Sequence, residues 1–186
     1  MSDEKEIRRR NPERTKARIL AAAQRAFAET GYSRTGIRQI ATLADIDSAL
    51  IQRYYGSKAG LFEAALSDAI PLFEDFDTER STLGARLTSE FLASLFDLRA
   101  HSMIVLSTSD AEACAICERV LEEKAIAPLM EWLGPPDART RAVRLVMLAT
   151  GFMLFTRQVQ LMTPESAVDS GTSGWLSDLL QDIIRA

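Results

Sequence analysis

The chain has 186 residues, 47% of them apolar and 26% charged, with a formal net charge of −4. That balance excludes a low-complexity, unfolded composition. Apolar runs such as Met103 to Leu106 fall far short of the ~18 residues that a membrane span needs, so no membrane partner is expected. The charge is unevenly placed: residues 1–60 carry 12 Lys/Arg against 7 Asp/Glu, and residues 61–186 carry 10 against 19. A basic end of +5 on an acidic body of −9 suits a first third that meets a polyanion.

The first residues, "MSDEKEIRRR", are charged with no apolar segment behind them, which argues against a signal peptide and makes the cytoplasm the expected location. Asn11-Pro12 then suits a helix start with proline at the first helical position. The stretch "ERTKARILAAAQRAFAET" spaces Ile19, Leu20, Ala23 and Phe27 for one helical face and ends at Gly31. Thr35 is placed to cap a short helix, "GIRQIATLA", and Asp47 to cap a second, "SALIQRYY", across a three-residue turn. Ser57 caps a fourth helix, "KAGLFEAALSDAI", which meets Pro71.

Beyond residue 75 the pattern stays helical. "STLGARLTSEFLASLFDL" aligns Leu83, Leu87, Phe91, Leu95 and Leu98, and a long helix follows Ser109 or Asp110 as far as Trp132. Gly134-Pro135-Pro136 ends it. A further helix is expected from about Asp137 to Met162, then a loop over 164–174 and a final amphipathic helix, "WLSDLLQDIIRA". The predicted fold class is all-α, in two parts: an N-terminal domain over 13–73 and a helical domain over 75–186.

The paired short helices at about 36–55 meet the physical needs of a helix-turn-helix. Ile37, Ile40, Ile46 and Leu50 form the expected buried seam, leaving Ser48, Ala49, Gln52 and Arg53 outward. In a major groove, Gln52 can pair with adenine and Arg53 with guanine.

The span "ILAAAQRAFAETGYSRTGIRQIATLADIDSALIQRYYGSKAGLF" resembles the DNA-binding domain of the tetracycline-repressor (TetR) family of bacterial regulators. Phe27, Gly31, Tyr32, Thr35, Ile37, Arg38, Ile40, Ala41, Ala44, Ile46, Tyr55, Ser57, Lys58 and Leu61 fall in that family's register without a gap. Asp45 stands where the turn usually has Gly, Gln52 where Tyr is frequent and Gly56 where Pro is frequent. The resemblance implies a three-helix DNA-binding domain in which Thr35, Tyr54 and Lys58 anchor phosphates, with Gly36 at the entry of the first helix. Arg38 either braces the motif or touches phosphate. Arg8, Arg9, Arg10 and Arg14 form an arm onto DNA or remain a solvated tail. Asp47 reads chiefly as a cap and Tyr55 as core.

The resemblance further implies a helical domain for effector binding and dimerisation, with a homodimer formed through the last two helices. Candidate pocket residues are Phe91, Leu95, Met103, Leu106, Cys117, Phe152 and Phe155, an apolar set that favours a small hydrophobic effector. No catalytic residue, metal or cofactor is expected. The single histidine, His101, gives the pair Cys114/Cys117 too few companions for a zinc site, and no nucleophile elbow or phosphate loop is present. The expected function is a dimeric, ligand-responsive repressor that leaves a palindromic DNA operator when its effector binds. The alternative is a helical ligand-binding or adaptor protein with weakened DNA binding.

Overall fold

The computed structural model describes residues 2–70, 80–93 and 98–186, with side chains described from residue 12 onward. The helices are α1 (Ser2–Thr30), α2 (Ile37–Ala44), α3 (Ser48–Tyr55), α4 (Lys58–Ala69), α5 (Leu83–Leu92), α6 (Leu98–Ser107), α7 (Ala111–Leu121), α8 (Ala127–Leu133), α9 (Ala138–Met153), α10 (Pro164–Asp169) and α11 (Thr172–Arg185). A π-helical turn, Glu122–Ile126, joins α7 to α8, and another, Leu154–Gln158, follows α9. No strand occurs among the described residues, so the all-α class holds.

The chain divides into two compact units, Met1–Ile70 with Ser102–Val120, and Pro71–His101 with Leu121–Ala186. In the first, α1 packs on α2 and α4. Phe27 and Phe62 meet edge to face at 5.0 Å, and Tyr32 meets Phe62 at 5.1 Å. Ile19, Ile40, Ile51, Leu61 and Leu66 close around them. Each such side chain contributes roughly 1.5–3 kcal/mol by leaving water. Gln24 is buried, and its amide donates to Ala65 O at 3.1 Å and Asp68 Oδ2 at 2.7 Å, fastening α1 to α4.

In the second unit α9 packs on α8 and α11, and α5 packs on α11. Leu176, Leu180 and Ile184 give α11 a buried stripe at helical spacing that meets Leu83, Phe91, Leu129, Leu133, Ala142 and Leu145. The α5–α11 crossing is close because Gly84 has no side chain: a Cβ there would lie 2.4 Å from Ser177 O. Buried Arg141 donates to Ile183 O at 2.9 Å, Ile184 O at 2.6 Å, and Gly134 O and Pro136 O at 3.2 Å each. Arg157 likewise donates to Phe91 O at 3.0 Å at the end of α5. Both guanidiniums satisfy the orphan carbonyls and the negative pole of a helix C-terminus.

Several boundaries differ from expectation. Pro12 lies inside α1 and not at its start; the Glu, Lys and Arg before it favour helix, against a proline that removes one backbone donor and crowds the carbonyl four residues back. Leu98 opens α6 instead of extending α5. Residues 164–169, expected as loop, form α10: the Thr163 hydroxyl accepts from Ser166 N at 3.2 Å, Pro164 takes the first position and Glu165 sits in the first turn. The last helix opens at Thr172, three residues before Trp175.

Candidate nucleic-acid interface

The cap of α2 is Gly36, in extended backbone, and not Thr35. Thr35 is buried, with its hydroxyl 2.7 Å from Gly31 O and 2.8 Å from the Thr30 hydroxyl. Its side chain braces the loop from inside and presents no hydroxyl to a phosphate. Gly36 and Arg38, by contrast, are exposed at the free N-terminus of α2.

The turn after α2 is a Schellman arrangement, with Asp45 N donating to Thr42 O and Ile46 N to Ala41 O, both at 3.1 Å. Asp45 takes the left-handed conformation, φ 49 and ψ 58. From α1, Arg18 reaches this turn: one terminal nitrogen lies 2.6 Å from Ala44 O, 3.0 Å from Asp45 O and 3.0 Å from Asp45 Oδ2. Asp47 Oδ1 accepts from Ala49 N at 2.8 Å, so its role as N-cap of α3 holds.

Helix α3 buries Ile51 at 1% exposure, while Leu50 is only half-buried; the seam runs one residue later than the periodicity suggested. Ala49, Gln52 and Arg53 are exposed and Ser48 is half-buried at the N-terminal edge. Among the described residues the side chains of Gln52 and Arg53 have no hydrogen-bond partner, and their donors are free for base edges. Gly56 ends α3 with φ 73, a value closed to the proline that often stands there in the family pattern. Ser57 Oγ then accepts from Gly60 N at 3.0 Å and starts α4.

The phosphate-anchor candidates flank that helix. Lys58 Nζ lies 4.3 Å over the Tyr32 ring and 3.5 Å from Ser33 O. Tyr54 is half-buried, with Lys16 Nζ 5.8 Å from its ring, and Tyr55 is half-buried with its hydroxyl 3.4 Å from Lys16 O. Arg14 is exposed; the side chains of Arg8, Arg9 and Arg10 lie outside the described residues. Lys16 and Arg18 were not singled out in the sequence, because neither matches a motif position and only folding carries them to the edge of the helix-turn-helix.

The candidate effector residues are divided. Met103, Leu106 and Cys117 belong to the first unit, and Leu95 lies outside the described residues. In the second unit Phe91 and Phe152 pack at 6.4 Å between ring centres. Phe152 and Phe155 line a cavity of about 370 Å³ with Met147, Leu161, Trp175 and Leu176, and among the described residues its polar lining is Thr156 and Thr172. Burial pushes the Cys117 thiol up to about 11, which makes it a poor nucleophile, and Cys114 is exposed. No cluster of three metal-ligating side chains occurs among the described residues, and none of their helices is long and apolar enough to cross a membrane.

Residues 19–65 match the family model for bacterial regulatory proteins of the tetR family, and residues 81–184 match the model for the tetracyclin repressor-like C-terminal domain. The HTH-type transcriptional repressor SCO4008 of Streptomyces coelicolor is 46% identical over 57 residues, 31% of this chain and 30% of that protein. The probable HTH-type transcriptional regulator YttP of Bacillus subtilis is 33% identical over 89 residues, 47% and 43% of the two chains. The matched stretch thus spans less than half the length of either relative. Among solved structures, NalD, the secondary repressor of the MexAB-OprM multidrug efflux pump in Pseudomonas aeruginosa, has a TM-score of 0.62 at 21% identity, covering 94% of this chain and 96% of that one. A TetR-family regulator from Rhodococcus sp. has a TM-score of 0.68 at 18% identity, covering 92% and 99%. At such identities these two structures speak for the fold alone.

Proposed function

The chain belongs to the tetR family of bacterial regulatory proteins, and we propose that it works as a dimeric, ligand-responsive repressor that binds a palindromic DNA operator in the cytoplasm. The observation that carries this reading is the free face of α3: Ala49, Gln52 and Arg53 are exposed on a helix fixed at its start by Asp47 and underneath by Ile51. In this reading residues 13–73 form the DNA-binding domain and 75–186 the effector and dimerisation domain. Gln52 and Arg53 read base edges, and Ser48 and Ala49 allow close approach. Gly36, Arg38, Tyr54 and Lys58 position the backbone, with Thr35 holding the loop from inside. No catalytic step is assigned to any residue.

A second copy meets the first through α9 and α11, placing two α3 helices in successive major grooves ~34–36 Å apart. The effector is small and mainly apolar, matched to the cavity beside Phe152 and Phe155. Its binding lowers operator affinity only as far as it prefers a dimer geometry with the wrong spacing. The test is selection of duplexes from a random-sequence pool by the full chain, followed by gel shifts with Arg53→Ala and Lys58→Ala. The expected result is a palindromic selected site, with binding relaxed at one base position by Arg53→Ala and weakened on all sequences by Lys58→Ala. Failure to enrich any duplex at low salt would favour an adaptor that has lost DNA binding.

A further inference from the structure

Helix α2 has no basic residue in its own last turn. Its Schellman bonds occupy Ala41 O and Thr42 O, and the carbonyls of Ala44 and Asp45 remain to be satisfied at the negative end of the helix. Arg18 satisfies both, and adds a 3.0 Å contact to the Asp45 carboxylate. The backbone of α1 that carries Arg18 is fixed, because the next residue, Ile19, is fully buried. The Asp45 carboxylate makes this contact while remaining 97% exposed, so the two backbone carbonyls are the firmer part of the hold.

The same device closes α11 through Arg141 and α5 through Arg157. At α2 the capped turn leads straight into a second helix, α3, whose outward Gln52 and Arg53 are exposed. Asp45 holds a left-handed φ that L side chains adopt reluctantly, so the turn needs an outside hold to keep one geometry. Two residues later α3 begins, and Gln52 lies ~6 Å along its axis from Ser48. A small rotation at Asp45 is magnified by that lever at Gln52 and Arg53, where bidentate base pairing tolerates little error.

We propose that Arg18 is a positioning residue for operator reading, a clamp from α1 that caps the bracing helix and fixes the turn that aims α3. The inference rests on the DNA-binding reading above. It separates Arg18 from a phosphate contact, which its half-exposed side chain would also permit. Removing a phosphate contact weakens all sequences alike and lowers the slope of log affinity against log salt by about one. Removing a positioning residue weakens the selected site more than a scrambled one and leaves the slope alone.

The experiment takes the full chain, the duplex it selects from a random pool and a scrambled duplex of equal length. Affinities are measured across a salt series for wild type, Arg18→Ala, Arg18→Lys and Asp45→Gly, with circular dichroism as the folding control. Arg18→Ala is expected to lose about tenfold or more on the selected duplex, with scrambled-duplex affinity and salt slope within twofold of wild type. Arg18→Lys, a cation without the planar fork, falls between. Asp45→Gly keeps both backbone acceptors and eases φ, so it stays within threefold. Equal losses on both duplexes with a slope lower by one would make Arg18 a phosphate contact and overturn the proposal. So would unchanged selectivity in folded Arg18→Ala or, where that variant does not fold, in Arg18→Lys. A wild type that selects no duplex defeats the DNA-binding reading itself, an outcome distinct from any that concerns Arg18 alone.

Discussion

The Tyr32 hydroxyl donates to Glu112 Oε2 at 2.5 Å, tying the loop after α1 to the first turn of α7. Ser33 bonds Asp110 beside it, so two consecutive loop residues hold two acids at the start of one helix. Burial, together with the Glu112 charge, raises the Tyr32 phenol well above its ordinary value, so it stays a donor at any working pH. Tyr32→Phe keeps the ring contacts to Phe27 and Phe62 and removes only the donor. Hydrogen bonds to charged groups are worth about 1.5–3 kcal/mol, and the exposure of Glu112 places this one near the lower end. Urea unfolding of Tyr32→Phe should therefore show a loss of about 1–2 kcal/mol. A change within about 0.3 kcal/mol would mean the tie contributes nothing.

At the α5–α11 crossing, two effects of opposite sign meet at Gly84. At the second position of α5 alanine would ordinarily be favoured over glycine by less than the ~1 kcal/mol of a helix interior. Here the added carbon would meet Ser177 O at 2.4 Å and Gln181 at 2.9 Å, and Gln181 Oε1 also accepts from Gly84 N at 3.1 Å. Backbone cannot yield as a side-chain tip can, and overpacking of this kind costs about 1–3 kcal/mol. Gly84→Ala should lower the melting temperature; a rise would mean the helices separate without loss.

Much of the first unit was legible because it is local. Asp47 and Ser57 cap the helices that follow them, and Gly31 ends the one before it, all signals written within four residues. The misses have a shared cause. Thr35 has the chemistry of a cap, but Thr30 and the Ala26 and Gly31 carbonyls claim its hydroxyl, leaving the cap to Gly36. Arg18, Arg141 and Arg157 reach the ends of α2, α11 and α5, 26 to 66 residues away, and nothing in their neighbouring sequence announces it. The effector set is not resolved by spacing. Phe, Met and Cys at helical spacing are equally suited to core and to pocket, and Met103 and Cys117 proved to be buried in the first unit.

His101, the chain's single histidine, is buried and its Nε2 has no hydrogen-bond partner among the described residues. Burial lowers its folded-state value below the ordinary ~6.5, so the unfolded chain binds a proton first as pH falls. Its contribution to stability is complete above about pH 6.5 and is lost as the pH falls toward the folded-state value. The slope there is at most about 1.4 kcal/mol per pH unit. The carboxylates with lowered values, Asp110, Glu122 and Glu165, titrate in a separate and more acidic window. Stability measured between pH 7 and 5 should fall in wild type and stay nearly level in His101→Leu. Parallel curves for the two would place the dependence elsewhere.

The second unit exposes large apolar side chains together: Met147 at 65%, Phe155 at 48%, Leu161 at 74% and Trp175 at 58%. These four also line the open cavity beside Phe152, so a second copy seated on this face would cover the apolar area and close the cavity in one step. In a two-fold interface each residue acts twice, once from each subunit. A hot-spot tryptophan carries about 2 kcal/mol or more, so as a hot spot on both sides of such an interface Trp175 replaced by a charge should cost about 4 kcal/mol, roughly a thousandfold in the dissociation constant. Sedimentation of Trp175→Glu at micromolar concentration should give a monomer with unchanged helix content. Its binding to a palindromic duplex should fall in step, while binding to non-specific DNA through single copies falls much less. A Trp175→Glu protein that still sediments as a dimer would move the interface off this face, leaving the cavity open to solvent and the effector reading to be sought between other helices.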